Sequence, residues 1–598
     1  MLRDRIDEFR LLLIKVFNEF RSGELGPEAT NVSASSFQIW CERSYVPPPA
    51  SVLRSLDAVL AERERSPADL VGLLTRDFGF PQEESVAVVE ALLAEKRKRK
   101  SDASRRSELL WPLYAEAVER YATQTAHVCV ARLLLYRIGE DQGVFERRLS
   151  GDGLQGLISP QKQDSPVVRQ RAPLVLTEIE SVRAAMADFA PSVYESGEFD
   201  WWRIAHPELL NTDQLNRLQP IEADLAVAYT RLLRRLNYYD LSGVNLDIWR
   251  DIYQHFLPEA ERQRLGGFYT PQVLVDLTLD YAEYRTSAPK LCEKLLIDLA
   301  SGSGAFVVGA LQRLLEHMAD STLPCHRSLH ARDVPDWERA RASLDRAVAN
   351  IHAIDLHPFA AFLTYINFLF VILPSYIVAR RHTRNLRLAV SIFSANALLT
   401  PGENGPQREL EIAVNSRIQL GRYALERYRE LANKKLDFVV GNPPWGGILK
   451  GKLAPIFDDS YKKQLLAQCP DTYTGKLDIY GLFYDRALSF LRAGGTVSLV
   501  TQGSFIDKEW AGPHVEFNHG DRLERKGLRR KLAEQASLRF LLDLNPFGQL
   551  FFGAMNIPCV SVFEKRPARE SENAVVLLSS KKGWSKGMPS TDRRREVV

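Results

Sequence analysis

The chain has 598 residues, 45% hydrophobic and 26% charged, which leaves room for several domains and a large core. A net charge of +3 excludes a uniformly basic nucleic-acid binder, so any such face must be a local patch. Six scattered cysteines, Cys41, Cys129, Cys292, Cys325, Cys469 and Cys559, contain no Cys-x-x-Cys pair. That spacing argues against a disulfide framework or a zinc site and fits a reducing cytoplasm; no metal is expected.

The opening Met-Leu-Arg-Asp-Arg-Ile-Asp-Glu mixes acids with bases and has no apolar core, so no signal peptide is expected. Residues 1–250 read as a helical region. Phe9, Leu12, Leu13, Val16 and Phe17 fall at helix spacing, as do Leu53, Leu56, Val59 and Leu60. The basic run from Glu95 to Arg106 could contact phosphates, but a solvated helix end or linker is the simpler reading. A strong helical pattern returns from Leu109 to Ile138. His127 and Cys129 within it are two residues apart and share no helix face, which favours buried scaffold over metal ligands. Residues 150–175, rich in Gly, Ser, Pro and Gln, predict an exposed loop. Phe199, Trp201, Trp202 and the stretch Leu225–Leu236 return to buried helix. No acidic Asp…Glu-x-Lys nuclease pattern stands out in this front region.

From residue 251 the pattern changes to strands alternating with helices. Gly266-Gly-Phe-Tyr269-Thr270-Pro271 predicts an irregular backbone, then a helix capped by Thr270 and opened by Pro271. Leu295-Leu-Ile-Asp298 is a strand, followed by a turn at Gly302-Ser-Gly304 and a helix from Phe306 onward. Ile351–Asp355 is a second strand; the acid at its tip suits paired ribose hydroxyls better than a surface-loop role. Ala360–Ala379 is apolar and about long enough to span a bilayer. It holds Asn367, Pro374 and Ser375 and follows a strand directly, so a helix packed on a sheet, not a membrane span, is expected. Leu388–Phe393 is the third strand, with Asn396 just beyond it.

The fourth strand, Phe438–Gly441, breaks into Asn442-Pro443-Pro444-Trp445. Two prolines cannot continue a ladder, and Pro443 pushes Asn442 toward an extended conformation. The result is a stiff loop presenting an amide, a proline carbonyl and an aromatic face. Taken alone it is either a pocket for a planar amide or exocyclic amine, or a Pro-Pro turn closing a strand. Further strands are expected at 495–500, 538–542 and 557–563. Arg522, Arg525, Lys526, Arg529 and Arg530 lie between them, either as a DNA-backbone face or as a solvated helix. Phe551 and Phe552, just before the last of these strands, are candidate aromatic ligand contacts. Tyr480, Phe483 and Tyr484 sit on a helix after the fourth strand, lining a pocket or filling the core. Seven strands alternating with helices predict an α/β fold: a doubly wound, seven-stranded Rossmann-like sheet preceded by the helical region.

Asn442-Pro443-Pro444-Trp445 resembles the Asn-Pro-Pro-aromatic motif of S-adenosylmethionine-dependent amino methyltransferases, above all the DNA adenine-N6 enzymes of restriction and phage-defence systems. Asp298-x-x-x-Gly302-Ser-Gly304-x-Phe306 is similar to their motif I, and Gly267-Phe-Tyr269-Thr270-Pro271 to the signature just before it. The resemblance covers about residues 245–565. It implies S-adenosyl-L-methionine as cofactor, with Tyr269, Thr270, Asp298, Gly302, Gly304, Phe306, Asp355 and Asn396 around it. It also implies that Asn442, Pro443, Pro444 and Trp445 hold an adenine flipped out of DNA. The family usually has Tyr or Phe where Trp445 stands. The implied layout is a helical region 1–250, a methyltransferase domain 251–566, and a tail 567–598 that could begin a recognition domain. Relatives in this motif order carry such a domain after the catalytic fold, yet few residues follow Phe563 here, so a fragment or a specificity or nuclease partner is expected. A protein-glutamine N5 enzyme, an RNA adenine enzyme and a non-catalytic scaffold of a defence complex stand as alternatives.

Overall fold

The computed structural model describes, apart from short interruptions, residues 2–20, 37–61, 66–96, 109–158, 174–202, 212–243, 270–399, 428–445, 459–472, 478–544 and 558–578. Two compact units emerge, one made chiefly of Met1–Val244 and one beginning at Asn245.

The first unit is helical. Helix α1 (Leu2–Phe20) packs against α2 (Ala115–Asp141) and α3 (Thr212–Leu236). Almost every residue of α2 from Ala117 to Glu140 is buried, which makes it the central rod of this unit. An aromatic cluster surrounds it: Phe37 stacks on Trp40 at 5.7 Å and Tyr121 stacks on Trp201 at 5.3 Å. The indole N–H groups donate to Gln124 and Thr125, so the rings are buried without an orphaned donor. His127 contacts the carbonyl of Thr123 at 2.7 Å and burial pushes the Cys129 thiol up to about 11, as scaffold residues require. Residues 151–158 form a helix where a loop was expected, because Leu154 at 3% exposure supplies the buried anchor that the surrounding glycines obscure. Residues 159–173 and the basic run from 97 to 106 lie outside the described residues.

The second unit is built on an eight-stranded sheet. In chain order its strands are β1 (Leu296–Asp298), β2 (Ile351–Asp355), β3 (Ser391–Ser394), β4 (Leu436–Gly441), β5 (Leu491–Gln502), β8 (Ser537–Asp543), β9 (Pro558–Glu564) and β10 (Val575–Leu578). A separate hairpin joins β6 (His514–Asn518) to β7 (Asp521–Arg525). The sheet order is β10-β8-β9-β5-β4-β1-β2-β3. All neighbours are parallel except β9, which runs antiparallel to both β5 and β8. The seven expected strands are present, making this a Rossmann-like α/β sheet. The eighth, β10, falls in the stretch expected to be a tail: Val-Val-Leu-Leu is a good edge strand and pairs parallel to β8.

Helices α4 (Gln272–Tyr281), α5 (Ala305–Ala319), α6 (Asp336–Asn350) and α7 (Pro358–Arg380) pack on one another and on the sheet, while α8 (Tyr480–Phe490) and α9 (Gly527–Gln535) form a second group. The crossovers run outward to β2 and β3 on one side of β1 and return to β4 on the other. Right-handed connections then put the two helix groups on opposite faces. Among the described residues α7 is the one helix long and apolar enough to cross a membrane. Here it rests on β2 and β3, with Phe359, Ile366, Phe368 and Tyr376 at 2% exposure or less.

Candidate functional site

Reversal of strand order between β4 and β1 opens a crevice at their carboxyl ends, the usual ligand edge of such sheets. Asp298 ends β1 and Asn442 follows β4, so both stand at this switch point. Gly441 joins them. Its φ is +155°, and a Cβ there would lie 2.6 Å from Asp298 Oδ1, so only glycine lets the strand end this close to the acid.

Asp298 is 1% exposed. Its Oδ1 accepts from the Ala300 N–H at 3.0 Å, while Oδ2 is buried with no hydrogen-bond partner. Burial, opposed by that one N–H and reinforced by the neighbouring Asp355, pushes its carboxyl up to about 8. Such an oxygen, buried and unsatisfied, costs about 1–3 kcal/mol and suits a cationic or N–H-bearing ligand.

The glycine turn is held from three directions. Asp355 at the tip of β2 accepts from Gly302 N–H and His357 N–H, each at 2.8 Å. Burial raises its carboxyl to about 6, although the residue stays partly exposed. The Ser301 N–H donates to the Ile354 carbonyl. From α7, Thr364 Oγ1 donates to the Gly302 carbonyl at 2.9 Å and Asn367 Nδ2 to the Ser303 carbonyl at 2.7 Å. Gly304 starts α5 with φ +87°, and a Cβ would come within 3.0 Å of the Thr364 backbone. Thr364 and Asn367 escape a motif search. Their signal was two polar residues three apart in an otherwise apolar helix.

On the other side of the crevice, Asn442 Nδ2 donates to Thr270 Oγ1 at 3.1 Å, and Asn442 Oδ1 is buried with no hydrogen-bond partner. Thr270 therefore does not cap α4 as expected. That helix opens one residue later, at Gln272, with Pro271 in the cap position, so no side chain caps it. Pro443 is buried, and Pro444 and Trp445 are partly exposed.

The other expected residues divide. Phe306, at 2% exposure, is packed into the core from the first turn of α5. Asn396 lies beyond β3, where its Oδ1 accepts from the Leu398 N–H at 3.1 Å and its carbonyl from Tyr428. Tyr480 and Tyr484 are fully buried, bonded to Ser504, Thr501 and Ser561, so on this helix the core reading holds. Arg529 donates to the carbonyls of Phe505 and Lys508, and Lys526 and Arg530 pair with Glu534 at the surface. Tyr269, Phe551 and Phe552 lie outside the described residues.

Residues 349–518 match the family model described as Eco57I restriction-modification methylase. The chain is 26% identical to the adenine-specific methyltransferase PglX of Streptomyces coelicolor over 293 residues, 46% of this chain and 22% of that protein. It is 23% identical to the Type II methyltransferase M.PaeR7I of Pseudomonas aeruginosa over 313 residues, 51% of this chain and 41% of that one. The chain thus spans less than half the length of these relatives. Among solved structures, the ATP-dependent Type ISP restriction-modification enzyme LlaBIII bound to DNA aligns with 93% of this chain and 30% of its own, at 12% identity and a TM-score of 0.41. The Type IIL restriction-modification enzyme MmeI in complex with DNA aligns with 77% of this chain and 57% of its own, at 14% identity and a TM-score of 0.40. The stretch from residue 349 to residue 518 that matches the Eco57I restriction-modification methylase model holds both Asp355 and the Asn442-Pro443-Pro444-Trp445 loop.

Proposed function

We propose that the chain transfers a methyl group from S-adenosylmethionine to the N6 amino group of adenine in DNA, as the cytoplasmic modification component of a restriction or phage-defence system. A partner subunit would contribute specificity or cleavage. The observation that carries this reading is the buried, unpartnered Oδ1 of Asn442, one residue from a glycine pressed against Asp298.

The residues present fit the cofactor. The unpartnered Asp298 Oδ2 suits its ammonium group, the partly open Asp355 suits ribose hydroxyls, and the turn at Gly302 and Gly304 brings no side chain between them. When bound, the cofactor supplies an electrophilic methyl on a sulfonium centre. Everything else falls to the protein. An adenine amino group is a poor nucleophile because its lone pair is delocalised into the ring. Asn442 Oδ1 and the Pro443 carbonyl would accept its two hydrogens, favouring a pyramidal nitrogen with its lone pair turned to the donor. Such a site works by orientation and fixed dipoles rather than by a strong base. The base must leave the stack to reach it, and Trp445 offers the aromatic face on which it would rest.

The test is to incubate the purified protein and labelled cofactor with DNA, RNA or protein, then digest and identify the product. Label in N6-methyladenine from DNA is expected. Label confined to RNA, or to glutamine side chains, would overturn the assignment of substrate.

A further inference from the structure

A second group of side chains, at the opposite edge of the sheet, has no part in this chemistry. Cys292 lies in a short turn four residues before β1, His317 in the last turn of α5, and Cys325 and His326 in a short turn after it. One ligand atom from each of the four lies within 4.8 Å of all the others. Cys292, His317 and His326 are 6%, 0% and 3% exposed, and only Cys325 reaches solvent.

Two details show these side chains set up as ligands. His317 Nδ1 lies 2.7 Å from the Thr286 carbonyl, which can only accept, so Nδ1 carries a proton and in the neutral ring Nε2 keeps its lone pair. That lone pair faces the cluster, with Cys325 Sγ 3.9 Å away. A metal-bound histidine is commonly held this way, through its other nitrogen. Then His326 Nε2 is buried with no hydrogen-bond partner, although its ring packs edge-on at 4.8 Å from that of His317. The nearby His330 is committed elsewhere, to the Met318 carbonyl at 2.9 Å. The Cys292 backbone is fixed too, its carbonyl accepting from Asn350 at 2.7 Å.

We propose that Cys292, His317, Cys325 and His326 bind one zinc ion in a closed tetrahedral site. Two sulfurs and two imidazoles are a donor set typical of structural zinc. Bonds of about 2.3 Å to sulfur and about 2.0–2.1 Å to nitrogen set the ligand atoms roughly 3.3–3.8 Å apart, so the observed cluster needs to contract only slightly. Four protein ligands leave no open position, so the ion is structural. It clamps the start of β1 to the end of α5, the two flanks of the glycine turn, and so braces that turn from the side away from the crevice. The spacing hides this set, because the two cysteines are far apart in sequence and the histidines are split between a helix and a turn.

Metal analysis of the full-length protein, purified untagged with reductant, tests the proposal without reference to methyl transfer. About one zinc per chain is expected, and reconstitution with cobalt should give the visible absorption of a tetrahedral thiolate site. Cys325→Ser combined with His326→Gln should lose the metal, while Cys469→Ser should keep it. Chelation of the wild type should lower its melting temperature by several degrees and make Cys325 reactive to thiol reagents. Wild-type protein that takes up neither zinc nor cobalt, a double variant that retains a full equivalent, or a Cys292–Cys325 disulfide found by mass spectrometry would each overturn it.

Discussion

Asp298 carries the sharpest consequence at the scale of a single residue. Its carboxyl is raised by burial to about 8 in the folded chain, against an ordinary value near 3.8. A raised acid is favoured in its protonated form by the fold, so its burial subtracts stability as pH climbs from the usual carboxylate range toward 8. Asp298→Asn removes that penalty. Thermal melts should show the variant gaining on wild type between pH 5 and pH 8, even as its affinity for S-adenosylmethionine falls by about tenfold or more. A stability difference that does not change with pH would mean that the carboxyl is not held as described. Asp298, Gly302, Gly304, Asp355 and Asn442 were all legible from the chain, because each sits within a few residues of a strand end that the apolar pattern marks. Thr364 was not. It reaches the turn from 62 positions further along the chain, and its local signal, a second polar residue three positions on in an apolar helix, does not point to that turn.

At the scale of elements, α7 does more than cover the sheet. Its Thr364 hydroxyl bonds both the Gly302 carbonyl and Ser301 Oγ, so the helix sets the shape of the glycine turn. Thr364→Val keeps the volume and deletes both bonds. It should cost about 1–2 kcal/mol of stability in denaturant titrations and weaken S-adenosylmethionine binding, and Thr364→Ser should restore the binding. A valine variant that binds the cofactor like wild type would assign the turn's shape to Asp355 alone. Most strands were readable as apolar runs, yet the β6–β7 hairpin was not foreseen. His-Val-Glu-Phe-Asn alternates polar with apolar, but Asp-Arg-Leu-Glu-Arg holds a single apolar residue among charges, a pattern equally expected of a charged helix. That helix exists, displaced to Gly527–Gln535.

Across the whole molecule, two compact units imply two separable stabilities. Trp40 is fully buried in the first unit, where Trp40→Ala should cost about 3–5 kcal/mol. In calorimetry that loss should appear in one transition, while saturating S-adenosylmethionine raises the other, by about 2.7 kcal/mol at one hundred times its dissociation constant. A single transition moved by both would contradict this division. The helical character of the first unit could be read from periodicity, but its aromatic centre could not, since the Phe37–Trp40 pair, Tyr121 and Trp201 are distant in sequence and meet only in the fold. The account as a whole turns on Asn442 acting on the acceptor and not on the donor. The most direct measurement pairs S-adenosylmethionine affinity with the rate of methyl transfer in Asn442→Ala. Affinity should stay within about threefold of wild type while the transfer rate falls by about 10²–10³-fold or more. Transfer at the wild-type rate, or loss of cofactor binding together with activity, would contradict the role given to this side chain.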